Sequence, residues 1–384
     1  MIAVMLAVLV VGAIRMTSGS STADKNTSDS GVTSINVTFA GDLVMHSAVV
    51  DAAKSGDTYD FTPDFKYVKK YINSADVAVC DLESVFNGKP YTGYPTFCCP
   101  SSLATSMKSV GFDMLMTASN HSFDYGYSGM RKTLKKLKKA GLKTGGTRLS
   151  TDDERYTMFT VKGVKVAIIP YSYATGSGDN VGLNDIPMGS EKSHVNYFTY
   201  RTSDAKEMAA VETKARKAGA KVVIMFCHWG DEYNQVNKTQ KNFARKIAKY
   251  STVDAIIGSH PHCIQKYETV KNKDGEKIPV YYAIGNLLSN QRSEILNEGV
   301  KTEEGVIVQV KIKYDKDKKK MTSLKTSVIP YWLDKFYDGG KTKYRIVPLN
   351  GDYKNNSAIK ASGDQATAAK AKKDIYSRLG IKEK

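Results

Sequence analysis

The chain has 384 residues, of which 41% are hydrophobic, and a formal net charge of +17. This length and composition allow a large buried core, in one big domain or two ordinary ones. Five cysteines without framework spacing argue against a disulfide-stapled scaffold. The basic charge favours anionic partners at long range, but it comes without the finger, zipper or aromatic motifs of nucleic-acid readers. We therefore expect no nucleic-acid partner, and instead an anionic polymer or a component of the cell envelope.

The N-terminus begins with an apolar run, residues 1–14, which Arg15 ends. At helical rise the run covers only about 21 Å, short of the ~30 Å hydrocarbon core of a bilayer. The length is typical of a signal-peptide core, although the usual basic start is missing. We predict a signal peptide or N-terminal membrane anchor over residues 1–16, and a flexible Ser/Thr/Asp/Gly linker over 17–34. The folded part is then extracytoplasmic, either membrane-anchored or secreted.

From Ile35 onward, strand and helix patterns alternate. Strands are predicted over 35–42 (ending in a tight Gly-Asp turn), 77–83, 112–119, 158–173 (a hairpin about 162–163), 221–230 and 253–262. Helices are predicted over 65–72, 101–110, 129–140, 205–218 and 239–250. Two hairpins follow, with tips at 272–277 and 315–320. This order predicts two sheets packed face to face with helices outside, as one domain over residues 35–350. Residues 351–384 are predicted to form a basic C-terminal tail with a peripheral helix.

Polar side chains that bind metals recur at the ends of these apolar strands. They are His46, His121, His228, His260 and His262, together with Asp42, Asp81 and Asn120. In an open sheet, ligands collect outside the carboxyl ends of the strands. Histidine and carboxylate ligands without cysteine pairs suit a borderline or hard divalent ion held in a reactive site. The pattern therefore predicts a metal-dependent, hydrolase-like domain.

The ligand set is large enough for two divalent ions, with Mn, Fe or Zn as the expected metals. A carboxylate is the natural bridge between two ions, and Asp81 is placed for it. One ion would be completed by Asp42, His46 and His262, and the other by Asn120, His228 and His260. His121, adjacent to a ligand, is predicted to act as a general acid or phosphate donor. Three cysteines next to proposed ligands are expected to be buried apolar residues, since strand neighbours face opposite sides: Cys80, Cys227 and Cys263.

Six short motifs occur in one order along the chain: GDLVMH (41–46), DLE (81–83), ASNHSFDYG (118–126), HWGDEY (228–233), IIGSHPHCIQ (256–265) and YAIGNLL (282–288). Together they resemble the CapA family of bacterial poly-γ-glutamate capsule synthesis proteins, within the calcineurin-like metallophosphoesterase superfamily. The resemblance implies a four-layer α/β/β/α sandwich of two mixed β-sheets, with a metallo-dependent phosphatase-like fold. It also implies a membrane-tethered, exported protein that works on poly-γ-glutamate, with membrane-bound polymer synthase subunits as partners.

The motifs differ from those of general phosphoesterases at three positions, one of which is a mild change: Ser119 stands where a glycine usually precedes Asn-His. His46 lies four residues after Asp42 rather than two, and the second motif offers Asp81 and Glu83 in place of G-D-x-x-D. Either of these carboxylates is therefore a candidate bridge. Further residues are predicted to orient the histidines or to serve as alternative ligands: Glu83, Asp124, Glu232 and Asn286.

Three functions fit this sequence. The favoured one is synthesis or export of a poly-γ-glutamate capsule, with a metallophosphatase-like dimetal site. The first alternative is an exported metal-dependent phosphoesterase or hydrolase of unknown substrate. The second is a non-catalytic basic protein that binds the envelope or a polyanion. Whether the protein is an enzyme stays open, because a fold carries a site but does not determine its substrate.

Overall fold

The computed structural model describes residues 31–296 and 300–383, so the predicted segment 1–16 and most of the predicted linker lie outside the described residues. The main strands are β1 (Val32–Leu43), β2 (Val77–Leu82), β3 (Met114–Met116), β4 (Lys143–Gly145), β5 (Thr157–Val161), β6 (Val164–Tyr173), β7 (Tyr197–Phe198), β8 (Val222–His228), β9 (Ala255–Ser259), β10 (Tyr267–Lys271), β11 (Lys277–Tyr281), β12 (Asn286–Leu288), β13 (Glu304–Asp315), β14 (Lys320–Asp338) and β15 (Lys341–Pro348). The helices are α1 (Ser47–Ala52), α2 (Lys69–Asn73), α3 (Ser102–Val110), α4 (Gly126–Lys139), α5 (Thr202–Lys217), α6 (Lys238–Tyr250), α7 (Ser293–Leu296), α8 (Ser357–Ser362) and α9 (Gln365–Leu379).

These strands form two mixed sheets. Sheet 1 has the order β15-β14-β13-β1-β2-β3-β4, and β12 also pairs with β1. Its β1, β2, β3, β4 and β12 are joined in parallel, whereas β13, β14 and β15 are antiparallel hairpin strands. Sheet 2 has the order β7-β6-β8-β9-β11-β10, with β5 paired to β6, and its central β6, β8, β9 and β11 are parallel. Parallel neighbours bring several carboxyl ends to one edge of each sheet.

The two sheets pack face to face over a shared apolar core. Val37 of sheet 1 and Ile224 of sheet 2 belong to the same buried cluster, and the rings of Phe39 and Phe226 meet edge to face with centroids 5.4 Å apart. Helices α1–α3 and Leu137 of α4 pack on the outer face of sheet 1, and α5 and α6 pack on sheet 2. Met130 and Leu134 of α4 join a smaller cluster with Leu183. The predicted α/β/β/α sandwich of two mixed sheets is therefore confirmed.

The elements follow the sequence pattern with a few differences. The predicted helix over 65–72 is instead a 3₁₀ turn at Thr62–Phe65, with Pro63 in its first turn, followed by the short α2. The β14/β15 hairpin was not predicted. Near its tip, apolar and polar residues do not alternate as they do in a half-buried strand, and even the aromatic side chain of Tyr337 is 74% exposed. A small hairpin of Gly182–Leu183 and Ile186–Pro187 was also missed.

The C-terminal segment contributes to the core. Helix α9 buries Ala368, Ala371, Ile375 and Leu379, which recur every three or four residues on one face. These side chains join the cluster between the sheets. The predicted burial of the cysteines beside the strand ends is confirmed for Cys80, Cys227 and Cys263, which are free thiols. In residues 31–296 and 300–383, no helix combines the length and apolar character needed to span a bilayer.

Candidate metal centre

The polar side chains of the strand ends converge where the carboxyl ends of both sheets meet. Strands β1, β2, β8 and β9 end here, and the loops after β3 and β9 and the start of β12 complete the site. Eight of the predicted side chains are at most 3% exposed: Asp42, Asp81, Glu83, Asn120, His228, His260, His262 and Asn286. Buried polar groups need partners, so the contacts among these residues indicate what the site can hold.

Asp42 reaches the site through a β-bulge at Gly41. The β1–β2 register shifts by one residue between Ala40 and Asp42. Strict alternation would point Asp42 to the outer face with Ala40, but the extra residue aligns it with the inward-facing Asp81. A Cβ atom at position 41 would lie 1.7 Å from the carbonyl oxygen of Gly285, so this approach of β1 to the start of β12 requires glycine. The predicted tight turn after the strand is thus a bulge within it.

His228 lies between two oxygen atoms. Its Nδ1 is 2.7 Å from Oδ2 of Asp81, and its Nε2 is 2.7 Å from Oδ1 of Asn120. The Ser259 hydroxyl donates to the same Asp81 oxygen at 2.5 Å. Burial lowers the pKa of His228 to about 3, so the ring is neutral and carries one N–H. The ring nitrogen that carries no hydrogen therefore faces a carboxylate or amide oxygen, lone pair to lone pair. A cation bound by both atoms would make this contact favourable.

A second set of contacts centres on His262. Its Nδ1 lies 3.3 Å from Oδ2 of Asp42 and 3.0 Å from Oδ1 of Asn286. The backbone N–H of His260 donates to Oδ2 of Asp42 at 3.2 Å. Burial is the largest influence and would lower the pKa of His262, but the hydrogen bond and charge of Asp42, the charge of Glu232 and the hydrogen bond to Asn286 together outweigh it, so the pKa is raised. Asn286, predicted as an alternative ligand or an orienting residue, is in contact with this histidine.

Glu83 lies between the two sets of contacts. It is fully buried, and neither of its carboxylate oxygens has a hydrogen-bond partner among the described residues. Oδ1 of Asp81 and Nδ1 of His260 are also buried without partners in the part of the chain that the structure describes. Glu83 belongs to both groups whose ligand atoms lie within 4.8 Å of one another, one with His260 and His262 and the other with Asp42 and His228. Of the two candidate bridges, Glu83 is therefore the carboxylate shared by both groups.

The site concentrates negative charge away from solvent. Burial, together with the carboxylates of Asp42 and Asp81, raises the pKa of Glu83 well above its usual range, and burial raises the pKa of Asp81 to about 7. Within residues 31–296 and 300–383, the ion-pair contacts of these three carboxylates are with histidines and not with lysine or arginine. Buried charge without a cation is costly. Divalent ions would offset it, and carboxylates with neutral imidazoles are suitable ligands, so these residues fit such ions.

The backbone at His260 and His262 is strained. Their φ angles are +95° and +58°, in the left-handed region that L-residues rarely adopt. Each such residue costs roughly 1–2 kcal/mol. Backbone strain of this kind clusters at functional sites, where the surrounding structure holds it in place. The conformation turns both imidazoles into the site on either side of Pro261.

His121 lies beside the buried carboxylates and is held from two sides. Its Nδ1 is 2.8 Å from Oδ2 of Asp124, and its ring meets Phe97 edge to face with centroids 4.6 Å apart. Its Nε2 lies 4.0 Å from Oε1 of Glu83. Asp124 therefore orients His121, and Nε2 faces the carboxylate that both groups share.

Two predicted residues lie at the rim. The ring of His46 packs on Phe97 with centroids 5.2 Å apart, and its Nδ1 lies 3.1 Å from the carbonyl oxygen of Val44. Among the described residues, the groups of ligand atoms do not include His46. Its role as a ligand stays a prediction. Glu232 is partly buried, and its charge helps to raise the pKa values of Tyr233 and His262.

Two contributing residues were not predicted. Ser259 donates to Asp81, and Asn184 accepts a hydrogen bond from Nδ2 of Asn120 at 2.9 Å. Asn184 and Asp185 both have positive φ and form the turn of the small hairpin at 182–187. An Asn-Asp pair between apolar residues is a hairpin signal, although it does not indicate where the turn will dock.

Comparison with known proteins identifies the family. The family model described as "Bacterial capsule synthesis protein PGA_cap" matches residues 36–291, which contain all of the buried site residues named above. This chain belongs to that family of bacterial capsule synthesis proteins.

Among its relatives, the "Capsule biosynthesis protein CapA" of Bacillus anthracis is 25% identical over 264 residues, 67% of this chain and 60% of that protein. The "PGA biosynthesis protein CapA" of Bacillus subtilis (strain 168) is 26% identical over 268 residues, 67% of this chain and 64% of that protein. The match thus spans less than two thirds of either relative.

Solved structures with a similar course of the chain include a novel phosphatase from Mycoplasma pneumoniae, 14% identical with a TM-score of 0.44, covering 78% of this chain and 94% of that one. The calcineurin-like phosphoesterase YfkN from Bacillus subtilis is also 14% identical, with a TM-score of 0.43, covering 90% of this chain and 99% of that one. Neither likeness is close enough to inform the chemistry of this site.

Proposed function

We propose that this protein takes part in the synthesis or export of a poly-γ-glutamate capsule and binds two divalent metal ions in its buried centre. Membership of the capsule synthesis family supports the process. The observation that carries the metal centre is Glu83 at the end of β2 in sheet 1, which is fully buried with two unpartnered carboxylate oxygens and faces imidazoles at the ends of β8 and β9 of sheet 2. A buried carboxylate with both oxygens free calls for a cation.

The proposed ions take their ligands from the two sets of contacts, one centred on His262 and the other on His228. Asp42, His260 and His262 would hold one ion, and Asp81, Asn120 and His228 the other, with Glu83 available to both. Mn, Fe and Zn suit these nitrogen and oxygen ligands. When bound, a pair of such ions polarises a phosphoryl or carbonyl oxygen and attracts carboxylates.

The main alternative is an exported metal-dependent hydrolase that acts on a phosphoester or on an amide bond of the polymer. The observation in its favour is the arrangement of His121 and Asp124 beside Glu83. A histidine oriented by a carboxylate is a usual general acid or base. In this role His121 would hold the proton on Nε2 and deliver it to a leaving group. A non-catalytic polyanion-binding protein would have no use for this pair.

We also propose that the folded part lies outside the cytoplasm, with residues 1–16 as a signal peptide or anchor and with membrane-bound polymer synthase subunits as partners. The uncharged apolar run at 1–14 supports export. The net charge of +17 supports an anionic polymer or envelope component as the ligand.

Metal content tests the centre. Protein purified without chelator is expected to carry two divalent ions per chain by elemental analysis, and Glu83→Gln is expected to lose at least one, because an amide offers one weaker oxygen in place of a bridging carboxylate. Glu304→Gln is the matched control: Glu304 is also buried, 3% exposed, with an unpartnered oxygen, but lies outside the ligand groups. Metal-free wild-type protein, or equal metal content in both variants, would refute the centre.

A further inference from the structure

A basic groove lies at the opposite end of sheet 1 from the metal centre. It encloses about 640 Å³ and is lined by residues near the start of β1, the end of α2, and the β13/β14 hairpin. Asn36 lines the groove and precedes Asp42 by six residues on the same strand, so the two sites lie roughly 20 Å apart at the usual rise of a strand. The groove is therefore separate from the centre described above.

Three exposed lysines face this groove from adjacent strands. Val310 and Ile312 point into the core, so alternation places Lys311 and Lys313 together on the outer face of the sheet. Lys325 of β14 is the direct cross-strand partner of Lys311. Like charges directly opposite each other destabilise a sheet. The Lys311–Lys325 pair is therefore an unfavourable contact that is retained in the open groove.

The carboxylate among the residues that line the groove already forms an ion pair with another lysine. Asp76, which also lines the groove, forms an ion pair with Lys162 at 2.8 Å. Lys162 additionally donates to the backbone carbonyl of Ser34 at 2.7 Å. Within residues 31–296 and 300–383, the ion pairs do not include Lys311, Lys313 or Lys325. Their three ammonium groups are available to an anion from outside.

We propose that this groove binds an extended segment of a polycarboxylate chain, and that Lys311, Lys313 and Lys325 each take a carboxylate. At the backbone, same-strand lysines two residues apart are separated by about 7 Å and the cross-strand pair by about 5 Å. A chain that repeats a carboxylate along its length can therefore offer a separate carboxylate to each of the three lysines. Lysine ammoniums are compact point charges on flexible stems and tolerate variable carboxylate geometry. The identity of the chain as poly-γ-glutamate rests on the proposed function; the groove itself rests on the charges.

Binding of a short γ-linked glutamate oligomer to the full chain, measured by calorimetry at low and physiological salt, tests the proposal. The groove variant is Lys311→Gln with Lys313→Gln and Lys325→Gln. The matched control removes the same charge from the exposed face of α4: Lys135→Gln, Lys136→Gln and Lys139→Gln. We expect roughly a tenfold loss of affinity in the groove variant and less than about twofold in the control, since each exposed ion pair contributes modestly. Equal losses in both variants would reduce the groove to general charge attraction and overturn the proposal.

Two further arms identify the source of the anion and guard against misfolding. In the first, vesicles containing phosphatidylglycerol replace the oligomer. If the groove variant loses vesicle binding while its affinity for the oligomer is unchanged, the groove is a membrane-contact surface and the proposal is wrong.

The second arm is a folding control. The groove variant is expected to melt at or above the wild-type temperature, because it relieves the Lys311–Lys325 repulsion. If the groove variant fails to fold, the single variant Lys325→Glu is used in its place. Its new carboxylate lies opposite Lys311, and we expect it to weaken oligomer binding at least as much as the groove variant would.

The two proposals fail separately. Glu83→Gln is expected to leave groove binding of the oligomer intact while it loses metal. If the oligomer binds wild-type protein and the groove variant equally, the groove proposal is wrong and the metal centre is unaffected. If the oligomer does not bind wild-type protein at all, both the groove ligand and the polymer part of the proposed function are wrong, and metal content alone decides the centre.

Discussion

Gly41 shows how one residue decides the geometry of the centre. Its bulge turns the Asp42 carboxylate inward, and its missing side chain lets β1 approach the Gly285 carbonyl. Gly41→Ala places a methyl group 1.7 Å from that oxygen, so β1 and β12 must separate. We expect a large drop in melting temperature and a loss of bound metal, measured by thermal denaturation and elemental analysis.

Gly339→Ala is the control for this prediction. Gly339 has φ +58°, but a methyl group at this position would meet nothing within 4 Å, so only the left-handed conformation is penalised, by roughly 1–2 kcal/mol. A Gly41→Ala protein as stable and as metal-rich as Gly339→Ala would show that the close approach at the bulge is not required.

Helix α9 and strand β13 meet around a buried carboxyl group. Glu304 is 3% exposed, and burial, with Asp374 of α9 adding to it, raises its pKa to about 8. Below the usual value of 4.5 the group is protonated in both the folded and the unfolded chain. Between 4.5 and about 8 only the unfolded chain ionises, so stability falls as pH rises through this interval. Docking of α9 is therefore expected to weaken towards alkaline pH.

Glu304→Gln removes this titration. We expect the variant to melt a few degrees above wild type at pH 8 and close to wild type at pH 4.5, since one pKa unit corresponds to about 1.4 kcal/mol. Exposed Glu154→Gln is the control and is expected to leave the pH dependence of melting unchanged. A constant difference between Glu304→Gln and wild type across the pH range would contradict the role of this carboxyl group.

At the scale of the whole molecule, the predicted export determines which side of the membrane the sandwich occupies. If residues 1–16 direct the chain across the membrane, the part from about residue 35 onward faces outward. Protease added to intact cells is then expected to degrade this part while a cytosolic marker survives, as followed by immunoblotting. A sandwich protected as fully as the cytosolic marker would argue against export.

Much of the architecture follows from local pattern. Continuous apolar runs such as Val77–Leu82 and helical spacing such as that in α4 depend only on near neighbours, so most elements were predicted within a few residues. The alternation of side chains along a strand places Asp81 and Glu83 on one side, away from Cys80, which packs among the outer helices. The recurrence of polar residues at strand ends predicted side chains that the structure brings together.

The partners within the centre were decided by contacts between distant residues. Asp42 lies beside His262 and Asp81 beside His228 because two sheets pack face to face and a bulge shifts one register, and neither feature has a local signal. For the same reason Glu83, rather than Asp81, is the carboxylate shared by the two groups of ligand atoms. Lys311 and Lys325 look like ordinary surface lysines in the sequence; only strand register sets their charges opposite each other. Residue types and their period are local properties, whereas register and sheet packing depend on the whole folded chain.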